Sequence, residues 1–535
     1  MDLTGWLLFF LVIQLIHFAG TWKLYKNAGR QAWEAAIPIY NAYVLTKIIN
    51  RPAWWVIILF LPIVNQLMFP VFWIETARSF GFNKRHDTIL VVLTLGLYLF
   101  YINYATEAKY VENRSNKPRT KLGEWVSAIA FAVIAATMVH TYVMQPYVIP
   151  SSSLEKTLLI GDYLFVSKFH YGARVPKSTV TFPMVHDTIP VLNKKSYLFD
   201  DNYDNRENSL INKLQLPYMR IPGFQEIQRN DIVVFNQPPD TLQNMNQWTD
   251  GDPSTPDRYY NKPLDKKLNL VKRCVGIAGD SLEIKNGYVY INGERIILPG
   301  RAKPQYNFIV NTKGRKFDNE NTVLSRFNVR EGGRTGDGNY YFTLTDEEAE
   351  DLRKHSQVVS VTKDIKPKGI ADSNTFPHVK SLGWNSDNFG PIYIPEQGAT
   401  VELNEDSMPF YKRIISEYEG NDLEVIGNTY FINGEKATTY TFKQNYYWMM
   451  GDNRQNSLDA RSWGYVPFDH VIGKPVFIWF SKDNQTGTIR WDRVFTTVGG
   501  DGEPQSYFRY FLILLGVYLL YSFFIKKRLK KKKVS

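Results

Sequence analysis

The sequence is 535 residues long, 44% hydrophobic, and carries a formal net charge of +11, enough chain for several domains. Its one cysteine, Cys274, rules out an intrachain disulfide and leaves no Cys-based metal site. The eight histidines show neither HxxxH nor HExxH spacing, which argues against a zinc protease.

Apolar runs crowd the first 145 residues and recur near the C-terminus, whereas the middle is polar. Five stretches approach the length of a membrane-crossing helix: 3–21, 54–74, 88–105, 124–144 and 507–525. The first lacks a basic leader and reads as a retained span. The second carries Pro62, Asn65, Gln66 and Pro70, so a kinked or protein-buried helix is expected there. Lys109, Arg114, Lys117, Arg119 and Lys121 precede the fourth stretch, and seven of the eight residues Lys526–Lys533 are basic. The positive-inside rule makes both segments cytoplasmic, with 22–53, and exports 145–506. One loop disagrees: 75–87 carries Arg78, Lys84 and Arg85, yet alternation puts it outside. A basic run beside a span already has a reason, so nucleic acid is not expected as a partner.

The exported region reads as β-rich. Asp231–Phe235 has the pattern of a short buried strand. Leu282–Lys285, Asn286-Gly287 and Tyr288–Ile291 form a hairpin signature with a type I′ turn. A second Asn-Gly follows at 292–293, and Phe431-Ile-Asn-Gly-Glu435 echoes the unit. The expected architecture is mainly β: an antiparallel catalytic domain with a long inserted subdomain, anchored by several transmembrane helices. The boundaries are an N-terminal membrane region with about three spans (1–123), an anchor (124–145), a first catalytic part (146–296) and an insertion (297–426). A second catalytic part (427–482), a linker (483–506), a C-terminal span (507–525) and a basic tail (526–535) complete the chain.

Three segments carry chemistry. Gln145-Pro-Tyr-Val-Ile-Pro-Ser-Ser-Ser-Leu-Glu-Lys-Thr-Leu158 begins where the fourth apolar stretch ends. Leu270-Val-Lys-Arg-Cys-Val-Gly276 reads as a strand. Gly451-Asp-Asn-Arg-Gln-Asn-Ser-Leu-Asp-Ala-Arg461 reads as a turn-rich box. In this order they resemble bacterial signal peptidase I, a membrane family that cleaves signal peptides. Pro150-Ser151-Ser152-Ser153-Leu154 answers to its Pro-Ser-x-Ser-Met, with Leu154 for Met. Leu270-Val-Lys272-Arg273 answers to its lysine strand, and 451–461 to its Gly-Asp-Asn-Arg box.

The resemblance implies Ser153 as nucleophile and Lys272 as general base. It implies an oxyanion hole from the Ser151 hydroxyl and the Ser153 N–H, with Ser457 orienting the lysine. Arg273, Asp452, Asn453, Arg454, Asp459 and Arg461 would hold the site in shape. Tyr147, Ile149, Leu154, Leu158, Leu270 and Val271 would line pockets for small residues before the cut (Ala-x-Ala). A lysine acts as a base at neutral pH only if burial lowers its pKa. No cofactor or metal is expected. The implied partners are signal peptides of exported preproteins, the lipid bilayer and the secretion machinery. The implied location is the bacterial inner membrane, multi-pass, with the catalytic domain on the periplasmic face and the tail cytoplasmic. The rival reading is a penicillin-binding-type acyltransferase using Ser153-x-x-Lys156, with Ser386-Asp387-Asn388 as its second motif. No Lys-Thr-Gly follows, and Gly161-Asp162 interrupts any shared helix, so Lys156 is expected to be exposed.

Overall fold

The computed structural model describes residues 3–118, 120–200, 202, 205, 208–238 and 262–525. The basic tail and Arg119 lie outside the described residues. The chain forms two units.

The first unit comprises the described parts of 1–144, 173–222 and 241–267. Two of its helices, Leu3–Asn27 and Lys121–Val143, are long and apolar enough to cross a membrane. Most of their apolar side chains face outward, because no protein core covers them. Leu3–Asn27 is gripped near its end. Asn103 Oδ1 accepts from the Lys23 and Leu24 N–H groups at 3.1 and 3.2 Å, and its Nδ2 donates to Ala19 O at 3.2 Å. Gly20 permits this approach, since a Cβ there would stand 2.7 Å from the Phe100 ring.

The other three apolar stretches are shorter or broken. The second runs as Trp55–Ile58 and Val64–Ser79, separated at Ile63, whose φ is 69°. The third runs as Arg85–Leu93 and Tyr98–Ala105, bent by 118°. Leu95 and Gly96 take positive φ at that bend, and Gly96 lies so close to Trp73 that a Cβ would be 2.7 Å from the indole. The last contains an apolar helix, Phe508–Phe524, in the second unit.

These breaks bring three basic segments together. Glu75 is buried and accepts from Arg51 (Nη2, 2.9 Å), Arg114 (Nη2, 2.7 Å) and Arg78 (Nη1, 3.3 Å). Burial alone would raise its carboxyl pKa, but the guanidiniums of Arg114 and Arg51 hold it below the ordinary value. Arg78, from the loop that alternation puts outside, therefore shares one end of the bundle with Arg51 and Arg114.

The second unit, the described parts of 145–172, 223–240 and 268–535, is dominated by antiparallel sheet. Its largest sheet takes the strands in the order Met144–Val148, Asp162–Ser167, Val471–Ser481, Ile232–Asn236, Asn269–Gly276, Tyr446–Met450 and Val466–Pro467. The Asn-Gly turns form as their sequence demands. Asn286 and Gly287 have φ of 51° and 82°, both positive, as a type I′ turn requires, and Asn292-Gly293 and Asn433-Gly434 repeat this. A four-stranded sheet over Tyr306–Lys363 has its own core, built on Phe308, Val310, Tyr340, Phe342 and Leu352. Phe389–Tyr393 instead joins the hairpin Ser281–Ile291 as its third strand.

Candidate active site

Register sets up the site. Asn269–Gly276 is an interior strand, pairing Lys272 with Val233 on one neighbour and Arg273 with Met450 on the other. A strand exposed on one face would show one of two consecutive residues to solvent. This strand is covered on both faces, so Lys272 and Arg273 are both buried.

Each buried charge meets a specific partner. Lys272 Nζ donates to Ser153 Oγ at 2.6 Å. Arg273 makes a two-pronged contact with Asp452, 2.8 Å from Nε to Oδ1 and 2.6 Å from Nη2 to Oδ2. Burial would raise the Asp452 carboxyl pKa, but the Arg273 guanidinium overrides it and keeps it below the ordinary value. Asp459 and Arg461 make a second such pair, with Asp459 Oδ2 also accepting from the Gly451 N–H at 3.0 Å.

Burial pushes the Lys272 pKa down to about 8, and the Arg461 charge acts in the same direction against the opposing pull of Asp459 and Asp452. At neutral pH a measurable share of this amine is free to accept a proton.

Ser153 lies in the 3-10 turn Ser152–Leu154, just after the extended and exposed Ser151. The turn is tied down on all sides. Asn453 N–H donates to Ser153 O at 3.1 Å, and Asn453 Nδ2 to Ser152 O at 3.2 Å. Asn456 Nδ2 donates to Ser152 Oγ at 3.1 Å, and both amides also donate to Glu331. Gln305 Nε2 donates to Glu155 O at 2.7 Å, and Thr157 Oγ1 to Asp452 Oδ2 at 2.6 Å. Glu331, Gln305 and Asn456 were not singled out from sequence, because nothing in a lone Glu or Gln more than 150 positions away points at Ser152.

One expectation needs correction. Lys156 is not exposed: its side chain is buried in an ion pair with Glu348. It leaves the turn with φ of 68°, so it shares no helix face with Ser153, and the Ser-x-x-Lys geometry is not formed. The Ser457 hydroxyl is buried and has no hydrogen-bond partner among the described residues. It sits against Gly451, where a Cβ would come within 2.1 Å of it and within 2.6 Å of Ser153 O.

The six expected pocket residues divide. Ile149, Leu154 and Leu158 are fully buried with Leu164, Ile232 and Ile478, forming a floor. Tyr147, Leu270 and Val271 are half-buried, and Val271 touches that floor. Asp387, from the rival motif, is buried and accepts from Gln455 Nε2 and the Lys366 N–H, a structural role.

Comparisons with known proteins agree with this arrangement. A family model described as signal peptidase, peptidase S26, matches residues 122–356 and 393–480. A second, described as a family of unknown function, matches residues 33–113. The signal peptidase I of Buchnera aphidicola subsp. Baizongia pistaciae is 25% identical over 369 residues, covering 68% of this chain and 79% of the relative. The signal peptidase I of Haemophilus influenzae is 23% identical, covering 72% and 79%. That of Helicobacter pylori is 23% identical, covering 70% and 91%. The S26 match takes in more than half of the sequence and every residue of the Ser153–Lys272 contact, and the chain belongs to the signal peptidase family, peptidase S26, as a serine protease.

Proposed function

We propose that the chain removes N-terminal signal peptides from exported preproteins, with Ser153 as nucleophile and Lys272 as general base. The observation that carries this reading is the 2.6 Å contact between Lys272 Nζ and Ser153 Oγ, made by a lysine whose pKa burial has lowered to about 8. In the attack step Ser153 Oγ bonds to the scissile carbonyl carbon while its proton passes to Lys272 Nζ. The oxyanion is met by the Ser153 N–H and the Ser151 hydroxyl, donors of a kind worth roughly 3–4 kcal/mol each when removed. Lys272 returns the proton to the leaving amine, and water then resolves the acyl-enzyme by the same route. Ser457, whose hydroxyl is uncommitted, steers the amine. The ion pairs Arg273–Asp452 and Asp459–Arg461 fix the frame.

Val271, packed on Ile149, Leu154 and Leu158, with Tyr147 and Leu270, accepts small side chains before the cut. An extended peptide is held at strand edges, giving Ala-x-Ala preference. Leu3–Asn27 and Lys121–Val143 span the membrane, with the Glu75 cluster on the cytoplasmic side and the second unit on the exported face. Between them, 54–79 and 85–105 enter and leave on the same side. Phe508–Phe524 serves as the C-terminal anchor, and residues from about 297 to 426 form an insertion into the catalytic domain.

The test is cleavage of a purified precursor with an Ala-x-Ala site. Ser153→Ala and Lys272→Ala each abolish it; full activity in either variant would sink the reading.

A further inference from the structure

Residues 180–198 form a short two-stranded ribbon in the first unit. Thr181 bridges Tyr197, Leu198 N–H donates to Val180 O at 3.0 Å, and Thr188–Ile189 pairs with Lys194–Lys195. One face is closed. Thr181 and Tyr197 are buried, with the Lys266 amine bonded to Thr181 Oγ1 and over the Tyr197 ring. Strand alternation turns Val180, Phe182 and Leu198 to the opposite face, where each is about half exposed. The tip is more apolar still: Val191 and Leu192 are 96% and 64% exposed, and the exposed Lys194 and Lys195 follow directly. Val191 holds a positive φ of 72°, rare for a β-branched residue, which keeps the tip projecting.

The root of the ribbon adjoins the ends of both long apolar helices. Gln66 Nε2 donates to Thr179 O, next to Val180. Trp6, in the first turn of Leu3–Asn27, donates to Gln215 O at 3.2 Å, and Thr179 Oγ1 bonds Leu214 O beside it. Tyr142, closing Lys121–Val143, donates to Pro62 O at 3.0 Å. Trp6, in the first turn of its span, sits at the depth where interfacial aromatics gather, and the buried Tyr142 ties the matching end of the second span to the same place.

We propose that the ribbon 180–198 is a lipid-docking element, with its Val180-Phe182-Leu198 face and Val191-Leu192 tip immersed in the leaflet on the catalytic side and Lys194 and Lys195 among anionic headgroups. This rests on reading Leu3–Asn27 and Lys121–Val143 as spans. Apolar side chains flanked by lysines suit the boundary between acyl chains and anionic headgroups. Such docking holds the first unit's excursion at the bilayer surface, where a membrane-held precursor presents its cleavage site.

The test uses the full chain in vesicles of phosphatidylethanolamine and phosphatidylglycerol, with a fluorescent NBD label on Val191→Cys and, as control, on Lys354→Cys. Cys274 is fully buried, so the label goes to the introduced thiol. The Val191 label is expected to shift to the blue, to be quenched by nitroxide-bearing lipids and to be protected from aqueous iodide. The Lys354 label is expected to be quenched by iodide. Retention of the protein through alkaline carbonate washing, with an iodide-accessible Val191 label, would overturn the ribbon proposal and leave the spans standing. Release by carbonate would overturn the spans and this proposal with them. Protection that vanishes on dilution to one protein per vesicle would assign the ribbon to a second copy of the chain and overturn lipid docking.

Discussion

The amine of Lys272 reaches the hydroxyl of Ser153 across 119 positions of sequence, at 2.6 Å. Only the neutral amine accepts the serine proton, so the fraction of neutral Lys272 governs the rate. With its pKa lowered to about 8 by burial, kcat/KM is expected to rise tenfold per pH unit below that value and level off above it. A pH–rate profile on a soluble peptide substrate checks this. A plateau already reached near pH 6 would exclude Lys272 as the base.

The same burial has a cost for folding. Below about pH 8 the lysine is charged in both folded and unfolded chains, and the folded state carries the full desolvation penalty, about 3 kcal/mol from a shift between 10.5 and about 8. Between those values the unfolded chain binds the extra proton, so stability rises with pH across that window. Lys272→Met is therefore expected to be inactive yet more thermally stable than the parent at neutral pH. The difference should shrink as pH approaches 10.5. Thermal unfolding of both proteins in detergent at several pH values measures it; a less stable Met variant throughout would contradict the penalty.

Gly451 is pressed between Ser457 and the backbone of Ser153. A methyl group there would stand 2.1 Å from Ser457 Oγ and 2.6 Å from Ser153 O, and the latter is backbone that cannot rotate away. Gly451→Ala is expected to displace the serine turn and lower kcat roughly 100-fold or more, since small misplacements of a nucleophile are costly. Kinetics beside a melting curve separate this from unfolding: a kcat within a few-fold of the parent would show that the turn tolerates the shift.

The parts of this protein that local rules govern were readable in advance. Asn286-Gly287 had to turn with positive φ at both positions, and it does. The Ser153, Lys272 and 451–461 segments, picked out separately, meet at one place, and the strand that buries Lys272 follows from the apolar Val271 and Cys274-Val275 around it. What could not be read depends on distant partners. Lys156 looked exposed because Glu348, its partner, lies 192 positions away. Arg273 was expected to hold the site in shape, but its partners could not be named, because Met450 and Asp452 arrive from the far end of the domain. The apolar stretch 88–105 looked like a continuous span, but Leu95 and Gly96 take positive φ at a bend where Gly96 packs against Trp73, a contact the stretch alone does not show.

At that bend the proposed topology departs from the five-span expectation. Five full spans would place His86 and Glu107 on opposite sides of the bilayer. Arg51, Arg78 and Arg114 converge on Glu75, Val111 N–H bonds Ser79 O at 2.9 Å and the Phe80 and Tyr110 rings meet at 5.7 Å, so the proposed topology puts the surrounding loops on one side. The proposed topology takes that end, with its three-to-one excess of guanidiniums, as cytoplasmic. His86→Cys and Glu107→Cys are both exposed positions, and both are expected to resist a membrane-impermeant maleimide in right-side-out vesicles and to react once the vesicles are opened. Lys354→Cys is expected to react before opening. Labelling of His86→Cys from outside, with Glu107→Cys protected, would restore simple alternation and require the Glu75 cluster to be rebuilt.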